Sequence, residues 1–335
     1  MKRIASLLLV APLACLFMCF GGCATPDGIV ALDLNPGRVP PPNTSMSING
    51  LGPCTDNVDR TLHLDASQPV NVLVHGCFGS SGQFRGLAQV MAFHGQQSAC
   101  FTYDDRAKLT DSAALLRQAL KQLADATRVP QITVIGHSQG ALVARKSFTE
   151  SLPTPFPAPS VELRLVTVSG PFAGIESART CGKTWLYPLT LGLLPLSCYA
   201  VTGPKWTDIT YSSRFILQPG KLAPRVAEHL KIDTDERNTC RREEQGRCVE
   251  SDDIFSLAEQ NIPIVDADTR VRRVLVNAGH VEIVGDKRVA PTKLIAVLQA
   301  EGVIRPTPAQ QAAAFSAALS QIYQSADRSR DGARR

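Results

Sequence analysis

The chain has 335 residues, of which 44% are hydrophobic and 19% are charged, and its formal net charge is +5. A chain of this length and composition can bury a complete core, either in one domain with insertions or in two domains. The small net charge is spread evenly along the chain, which argues against the concentrated basic surface of a nucleic-acid-binding protein.

Residues 1–23 have the pattern of an export signal. Two basic residues precede an apolar run over residues 4–20, and two glycines lead to Cys23. This ending resembles the lipid-attachment site of bacterial lipoproteins, although Phe20 stands where Leu is usual. We therefore expect a lipid on Cys23 and a lipid-anchored protein of the bacterial cell envelope, periplasmic or on the outer membrane. The alternative is an uncleaved membrane anchor, since the apolar run is nearly long enough to span a bilayer.

Export would allow disulfides to form. Seven cysteines follow Cys23, so at least one thiol is unpaired or pairs between chains. Spacing favours two local pairs, Cys181 with Cys198 and Cys240 with Cys248. Pairing among the remaining three stays open: Cys54, Cys77 and Cys100. No C-x-x-C pair or histidine cluster accompanies the cysteines, which argues against zinc, and we expect no cofactor.

The order of strand and helix patterns predicts the architecture. Residues 24–50 are proline-rich and are predicted to be a tether, while residues 51–305 are predicted to form the main domain. Continuous apolar runs suit strands that are covered on both faces, as in a parallel sheet. Their alternation with helical patterns predicts an α/β fold with a mostly parallel, doubly wound sheet flanked by helices. The predicted strands lie near residues 69–76, 98–103, 131–137, 162–169, 206–213 and 272–277.

Three further segments have separate predictions. Residues 181–200 form an apolar, proline-interrupted insertion, which is either an extra core layer or a lid over an apolar cleft. Residues 230–260 include a polar insertion whose charged residues are expected to face solvent. Residues 306–335 are predicted to be a closing helix and a basic, disordered tail.

A G-x-S-x-G pattern at Gly136, Ser138 and Gly140 suggests a nucleophile. A β-branched run precedes it and a helical pattern follows it, which are the surroundings of a nucleophile elbow. A serine held at strained backbone angles needs glycine on either side, because larger side chains would collide with the strand or the helix. A glycine-rich turn without a catalytic role is the alternative. The flanking strand and helix favour Ser138 as a nucleophile.

A serine nucleophile requires a base. His280 directly follows the last predicted strand. This strand would bring His280 to the edge of the sheet at which the active site is expected. His63, His94 and His229 lack such a position and are expected to be structural or solvated. His137 lies inside the motif and is expected to be buried beside the serine.

Two backbone N–H groups are candidates for an oxyanion hole. One belongs to Gln139, directly after the nucleophile, and the other to Cys77, in the loop that ends an early buried strand. Cys77 can also be a disulfide partner, and the two roles are compatible because the N–H group does the catalytic work.

Three motifs occur in a fixed order: Val-Leu-Val-His-Gly at 72–76, Gly-His-Ser-Gln-Gly at 136–140 and Gly-His-Val at 279–281. Together they resemble the α/β-hydrolase superfamily, and within it bacterial lipases and esterases, over roughly residues 60–300. The resemblance implies a Ser-His-acid triad without a cofactor, acting on esters.

The acid of this triad is the weakest part of the resemblance. In such lipases it follows a run similar to residues 211–213, but no carboxylate follows here. Asp253 is preferred, because it precedes the last strand in a run that looks like the acid-Ile run of the family. Asp252 and Glu176 are rivals, and Asp253 could instead cap a helix.

The sequence thus predicts an exported serine hydrolase that cleaves carboxylic esters through Ser138, His280 and Asp253, with Cys77 and Gln139 as oxyanion donors. Its expected partners are an ester or lipid substrate and, through the anchor, a membrane. Two alternatives stay open: a non-catalytic envelope binding protein of the same fold, which the missing carboxylate favours, and an acyltransferase that uses the same residues.

Overall fold

The computed structural model describes residues 37–178, 186–190, 193–286 and 289–324. The strands in these residues are β1 (Thr44–Met46), β2 (Leu51–Gly52), β3 (Leu62–Leu64), β4 (Val70–Val74), β5 (Gln97–Phe101), β6 (Gln131–His137), β7 (Glu162–Val168), β8 (Val226–Asp235), β9 (Cys240–Glu244), β10 (Arg247–Ser251) and β11 (Val271–Asn277). Seven of them form the central sheet, in the order β11-β8-β7-β6-β4-β5-β2. All neighbours pair in parallel except β2, which pairs antiparallel with β5. The predicted mostly parallel sheet is confirmed.

Helices cover both faces of this sheet. They are α1 (Arg85–Phe93), α2 (Leu109–Ala126), α3 (Gln139–Ser147), α4 (Leu186–Leu189), α5 (Leu193–Thr202), α6 (Trp206–Ile209), α7 (Arg214–Leu217), α8 (Leu257–Gln260), α9 (Pro263–Asp266), α10 (Thr292–Ala300) and α11 (Ala312–Gln324). Successive strand residues point to opposite faces. Val72 and Val134 therefore belong to one core cluster, with α2 and α3, while Leu73 and Ile135 belong to the other, with α1 and α10.

The structure corrects the prediction of a strand at 206–213. This stretch forms α6 and a turn, and the side chain of Ser213 caps α7 by accepting a hydrogen bond from the Ile216 N–H at 3.1 Å. The carboxylate of Asp208 accepts the N–H of Leu109 at 2.8 Å, so α6 is tied to the start of α2. Such capping contacts satisfy helix termini and are hard to recognise in a short run of mixed residues.

The predicted boundary of the polar insertion is also wrong, because residues 230–235 are part of the central strand β8. Lys231 and Asp233 are buried there and form an ion pair, with Nζ and Oδ1 2.6 Å apart. Only the hairpin of β9 and β10, together with the loop that follows it, projects beyond the sheet edge as a polar insertion.

Both ends of the chain differ from their predictions. The predicted tether ends early, because β1 pairs with β3 and Ile48 is buried in the core. The closing helix α11 begins at Ala312. The proposed signal, Cys23 and the tail beyond residue 324 lie outside the described residues. Within the residues that are described, no helix combines the length and the apolar character that crossing a membrane requires.

Two disulfides are fully described. One joins Cys240 to Cys248 across the β9–β10 hairpin, which confirms that local pair, and the other joins Cys54 to Cys100. Cys198 is disulfide-bonded as well, whereas Cys181 lies outside the described residues. Cys77 has a free thiol.

Candidate active site

Ser138 stands in a sharp turn between β6 and α3, with φ 56° and ψ −126°. A residue other than glycine is strained at such angles and stays there only when its surroundings hold it. Its N–H donates to the Val168 carbonyl at 2.9 Å. A Cβ atom on Gly136 would collide with the Gly140 carbonyl, and one on Gly140 would collide with the Val74 carbonyl. The two glycines of the motif are therefore required by close approach of the backbone.

His280 follows β11 at the same edge of the sheet, where the carboxyl ends of the parallel strands meet. Its ring lies 4.7 Å from the ring of His137, the residue before the serine, and 4.7 Å from that of Phe255. Nε2 of His137 donates to the His280 carbonyl at 2.9 Å. Burial, reinforced by the nearby His280, lowers the pKa of His137 well below its ordinary value, so this ring stays neutral.

The carboxylate hydrogen-bonded to His280 belongs to Glu236, directly after β8. Its Oε1 atom lies 2.9 Å from Nδ1 of His280. The sequence had assigned this place to Asp253, and the structure corrects that assignment. Asp253 is exposed to solvent, while the next two backbone N–H groups, of Ile254 and Phe255, turn inward to Glu236.

Glu236 is buried and accepts hydrogen bonds at both oxygens. Besides His280, its Oε1 atom accepts from the hydroxyls of Ser169 at 2.7 Å and Thr234 at 2.8 Å. Its Oε2 atom accepts the two inward backbone N–H groups at 2.8 Å each. Burial by itself would raise the pKa of Glu236. The hydrogen bond to His280, the charge of the His280 ring, and the hydrogen bonds from the Phe255 N–H and the Ser169 hydroxyl outweigh this effect, so the pKa of Glu236 lies below its usual value. The carboxylate form is thus stabilised where it meets the imidazole.

The two rival acids lie elsewhere. Asp252 holds the turn that follows the histidine: its carboxylate accepts the N–H groups of Val281 at 3.0 Å and Glu282 at 2.9 Å, and its carbonyl accepts that of His280 at 2.9 Å. Glu176 is exposed in a 3₁₀ turn. Asp252 therefore supports the position of the histidine from the backbone side.

The loop of the predicted oxyanion donor lies against Ser138. A Cβ atom on Gly76 would approach the Ser138 Cβ to 2.9 Å. The N–H of Phe78 is occupied, because it donates to Oδ2 of Asp105 at 2.7 Å. Among the described residues, the N–H groups of Cys77 and Gln139 donate to no protein acceptor. Two unused N–H groups thus flank the serine.

The apolar insertion contains both described and undescribed residues. Of residues 181–200, the structure describes 186–190 and 193–200, which include α4 and most of α5. Leu189, Leu193 and Leu196 are exposed by 62–70%. These three leucines do not form an additional core layer. That the insertion acts as a lid stays a prediction.

Three other histidines that the sequence analysis considered have different partners. His63 bonds to the Ser45 hydroxyl, His94 to the Val90 carbonyl and His229 to the Thr167 hydroxyl. Within the described ranges, no three His, Cys, Asp or Glu side chains are grouped closely enough to hold a metal ion.

No family model and no curated protein matches the chain. Among solved structures, a Bacillus licheniformis lipase in its propeptide form aligns with a TM-score of 0.52 and 14% identity, over 79% of this chain and 54% of the lipase. The mature form of that lipase aligns with a TM-score of 0.49 and 15% identity, over 78% of this chain and 98% of the lipase. An esterase of Pyrococcus furiosus aligns with a TM-score of 0.41 and 18% identity, over 71% of this chain and 82% of the esterase. At these identities the likeness shows the fold alone, which is the α/β-hydrolase fold.

Proposed function

We propose that this chain is a serine hydrolase that cleaves carboxylic esters, with Ser138 as nucleophile, His280 as base and Glu236 as the orienting acid. The observation that carries the proposal is the buried carboxylate of Glu236 at Nδ1 of His280, at the same sheet edge as a serine in a strained turn. Strained backbone persists at functional sites because the surroundings enforce it. A binding protein would have no evident use for this combination.

The chemistry follows from which ring nitrogen carries the proton. Glu236 can accept a hydrogen bond from His280 only if Nδ1 of His280 carries the proton. The other ring nitrogen, Nε2, is then unprotonated and can act as a base. Nε2 takes the proton of the Ser138 hydroxyl as Oγ attacks the ester carbonyl, and then gives that proton to the departing alcohol. Water, activated by the same nitrogen, then attacks the acyl-enzyme and releases the acid.

The negative oxygen of each tetrahedral intermediate needs donors that are fixed in advance. The N–H groups of Cys77 and Gln139 fit this role, because both flank the nucleophile and neither donates to a protein acceptor in the described structure. The neighbouring Phe78 N–H is already committed to Asp105, so it does not compete for the same oxygen.

The substrate class is inferred from the surroundings of the site. Phe78, beside the oxyanion loop, is 54% exposed, and the leucines of α4 and α5 are exposed as well. Exposed apolar side chains of this kind favour an apolar acyl chain as the group that is bound. The name of the aligned structure with a TM-score of 0.52, a lipase, supports an ester as substrate. Residues 1–23 and Cys23 support a place in the cell envelope with a lipid anchor.

The experiment that tests the proposal is labelling by a fluorophosphonate probe, which reacts with activated serines. We expect wild-type protein to be labelled and Ser138→Ala not to be. In parallel, p-nitrophenyl esters of increasing acyl length measure hydrolysis and its chain-length preference. Absence of labelling on folded wild-type protein would falsify the hydrolase proposal. The non-catalytic alternative rested on a missing carboxylate, and Glu236 supplies one.

A further inference from the structure

The segment that follows β5 contacts both halves of the proposed oxyanion hole. The Oδ2 atom of Asp105 accepts the Phe78 N–H at 2.7 Å, and the Asp105 carbonyl accepts Nε2 of Gln139 at 2.9 Å. One residue is thus hydrogen-bonded to the loop that contains Cys77 and to the residue after the nucleophile. Displacing Asp105 would move both donors.

A second residue, Lys205, contacts the same loop although it is distant from it in sequence. Lys205 follows α5, at the base of the apolar insertion, and its side chain is only 1% exposed. Its Nζ atom lies 2.9 Å from Sγ of Cys77 and 3.4 Å from Oδ2 of Asp105. Its backbone N–H donates to the Arg106 carbonyl at 3.2 Å. A buried amine is costly unless it is paired, so these partners have little freedom to move.

The loop needs such restraint for a physical reason. Phe78 has φ 56°, in the left-handed region that costs free energy for any residue with a Cβ atom. The Cys77 N–H lies between two restrained groups: its own thiol, held by Lys205, and the next N–H, held by Asp105. An oxyanion donor must be placed to within a few tenths of an ångström, since misplacement by about 1 Å can cost a factor of about 100 in rate.

We propose that Lys205 and Asp105 are positioning residues of the oxyanion hole, which fix the Cys77 N–H from two sides and the Gln139 N–H from one. This rests on the proposed ester hydrolase activity and adds to it. It also assigns a function to the segment directly after α5, which through Lys205 restrains the proposed oxyanion hole. Neither side chain contacts the substrate in this scheme.

The test compares substitutions in the full-length protein. We expect Lys205→Met to lower kcat for p-nitrophenyl butyrate by about 10- to 100-fold, with KM changed less than about twofold. The inhibition constant of an alkyl trifluoromethyl ketone, which forms a tetrahedral oxyanion on the serine, should rise by the same factor. Asp105→Ala should act in the same direction and more strongly than Asp105→Asn, which keeps an acceptor for the Phe78 N–H. Lys121→Met, at an exposed ion pair on α2, serves as the matched control.

A second pair of variants guards against misfolding of the lysine variant. Cys77→Ser keeps an acceptor for Nζ of Lys205, whereas Cys77→Ala does not. We expect Cys77→Ala to lower kcat and inhibitor affinity more than Cys77→Ser does, because only the serine keeps an acceptor for Nζ of Lys205. Equal behaviour of the two, or a lower kcat without weaker inhibitor binding, would overturn the proposal. If wild-type protein hydrolyses esters and these variants do too, only this inference fails; if wild-type protein is inactive, the proposed function fails first.

Discussion

Replacement of Glu236 by Gln tests the triad most directly, because the change alters charge and hydrogen bonding but hardly alters shape. The two backbone N–H groups at Oε2, from Ile254 and Phe255, cannot reverse direction. They will therefore hold the amide oxygen of the glutamine and leave its NH₂ group at the Oε1 position. The hydroxyls of Ser169 and Thr234 can rotate to accept from NH₂.

His280 is the partner that cannot adapt without losing its function. Facing an NH₂ donor, its Nδ1 atom is favoured as an acceptor, from that group or from the Ser169 hydroxyl 2.9 Å away, and this moves the ring proton to Nε2. The base that should take the Ser138 proton is then blocked. In a triad of this type, the equivalent loss of the acid has cost about 10⁴ in kcat. We expect a similar factor here, or about 5 kcal/mol of transition-state stabilisation.

The assay is kcat with p-nitrophenyl butyrate, together with the rate of fluorophosphonate labelling. Glu228→Gln is the control, because Glu228 lies on the same strand β8 and pairs with Arg164 at its far end. That variant should keep kcat within about twofold. Circular dichroism and the melting temperature verify that both variants are folded. If Glu236→Gln kept more than about a tenth of wild-type kcat, the tautomer argument would be wrong.

Four other predictions concern the surroundings of the triad. Gly140→Ala should abolish labelling and lower the melting temperature, because its Cβ would meet the Val74 carbonyl. Ser169→Ala should lower kcat about tenfold in a folded protein, since it removes one donor to the acid. Asp252→Asn should lower both kcat and the melting temperature, because the carboxylate holds two N–H groups after the histidine. Since burial is outweighed by the hydrogen bonds that depress the pKa of Glu236, its contribution to stability is present above the unfolded pKa of about 4.3 and is lost as pH falls through the lower folded pKa. The free energy of unfolding should fall more steeply in acid for wild type than for Glu236→Gln.

The sheet could be predicted because its central strands are apolar on both faces. Every side chain of β4 is buried, and all of β6 except its first residue. Continuous apolar runs of this kind are typical of parallel strands under two helical layers. The sharp turn at Ser138 could also be predicted from the sequence. The two glycines of its motif are required there, because a Cβ atom on Gly136 or Gly140 would collide with a backbone carbonyl.

Helices α6 and α7 could not be predicted in the same way. Both are four residues long, too short for periodicity to distinguish them from a strand. Their stability comes from tertiary contacts, such as the hydrogen bond from the Leu109 N–H to Asp208. The two residues of that hydrogen bond are far apart in sequence, so no local pattern predicts it.

Glu236, the proposed acid, was missed because β8 was not recognised as a strand. Lys231 and Asp233 alternate with the apolar Leu230 and Ile232, and a charged face normally indicates solvent. In the fold these charges are buried and paired with each other. Further ion pairs, of Lys231 with Asp266 and of Asp233 with Arg273, come from other parts of the sequence. They allow a strand with a charged face to be buried, which hydrophobicity alone does not predict.

The order of the strands in the sheet indicates the position of the proposed acid, which the hydrophobicity of β8 does not. Catalytic groups in open parallel sheets lie just beyond the carboxyl ends of strands, and β8 is the hydrogen-bonded neighbour of β11, the strand that leads to His280. A carboxylate immediately after β8 therefore faces the histidine whatever hairpin follows. Asp253 comes after that hairpin, where its position depends on the length of an insertion. Glu236 depends only on the strand, which makes it the acid that the architecture itself favours.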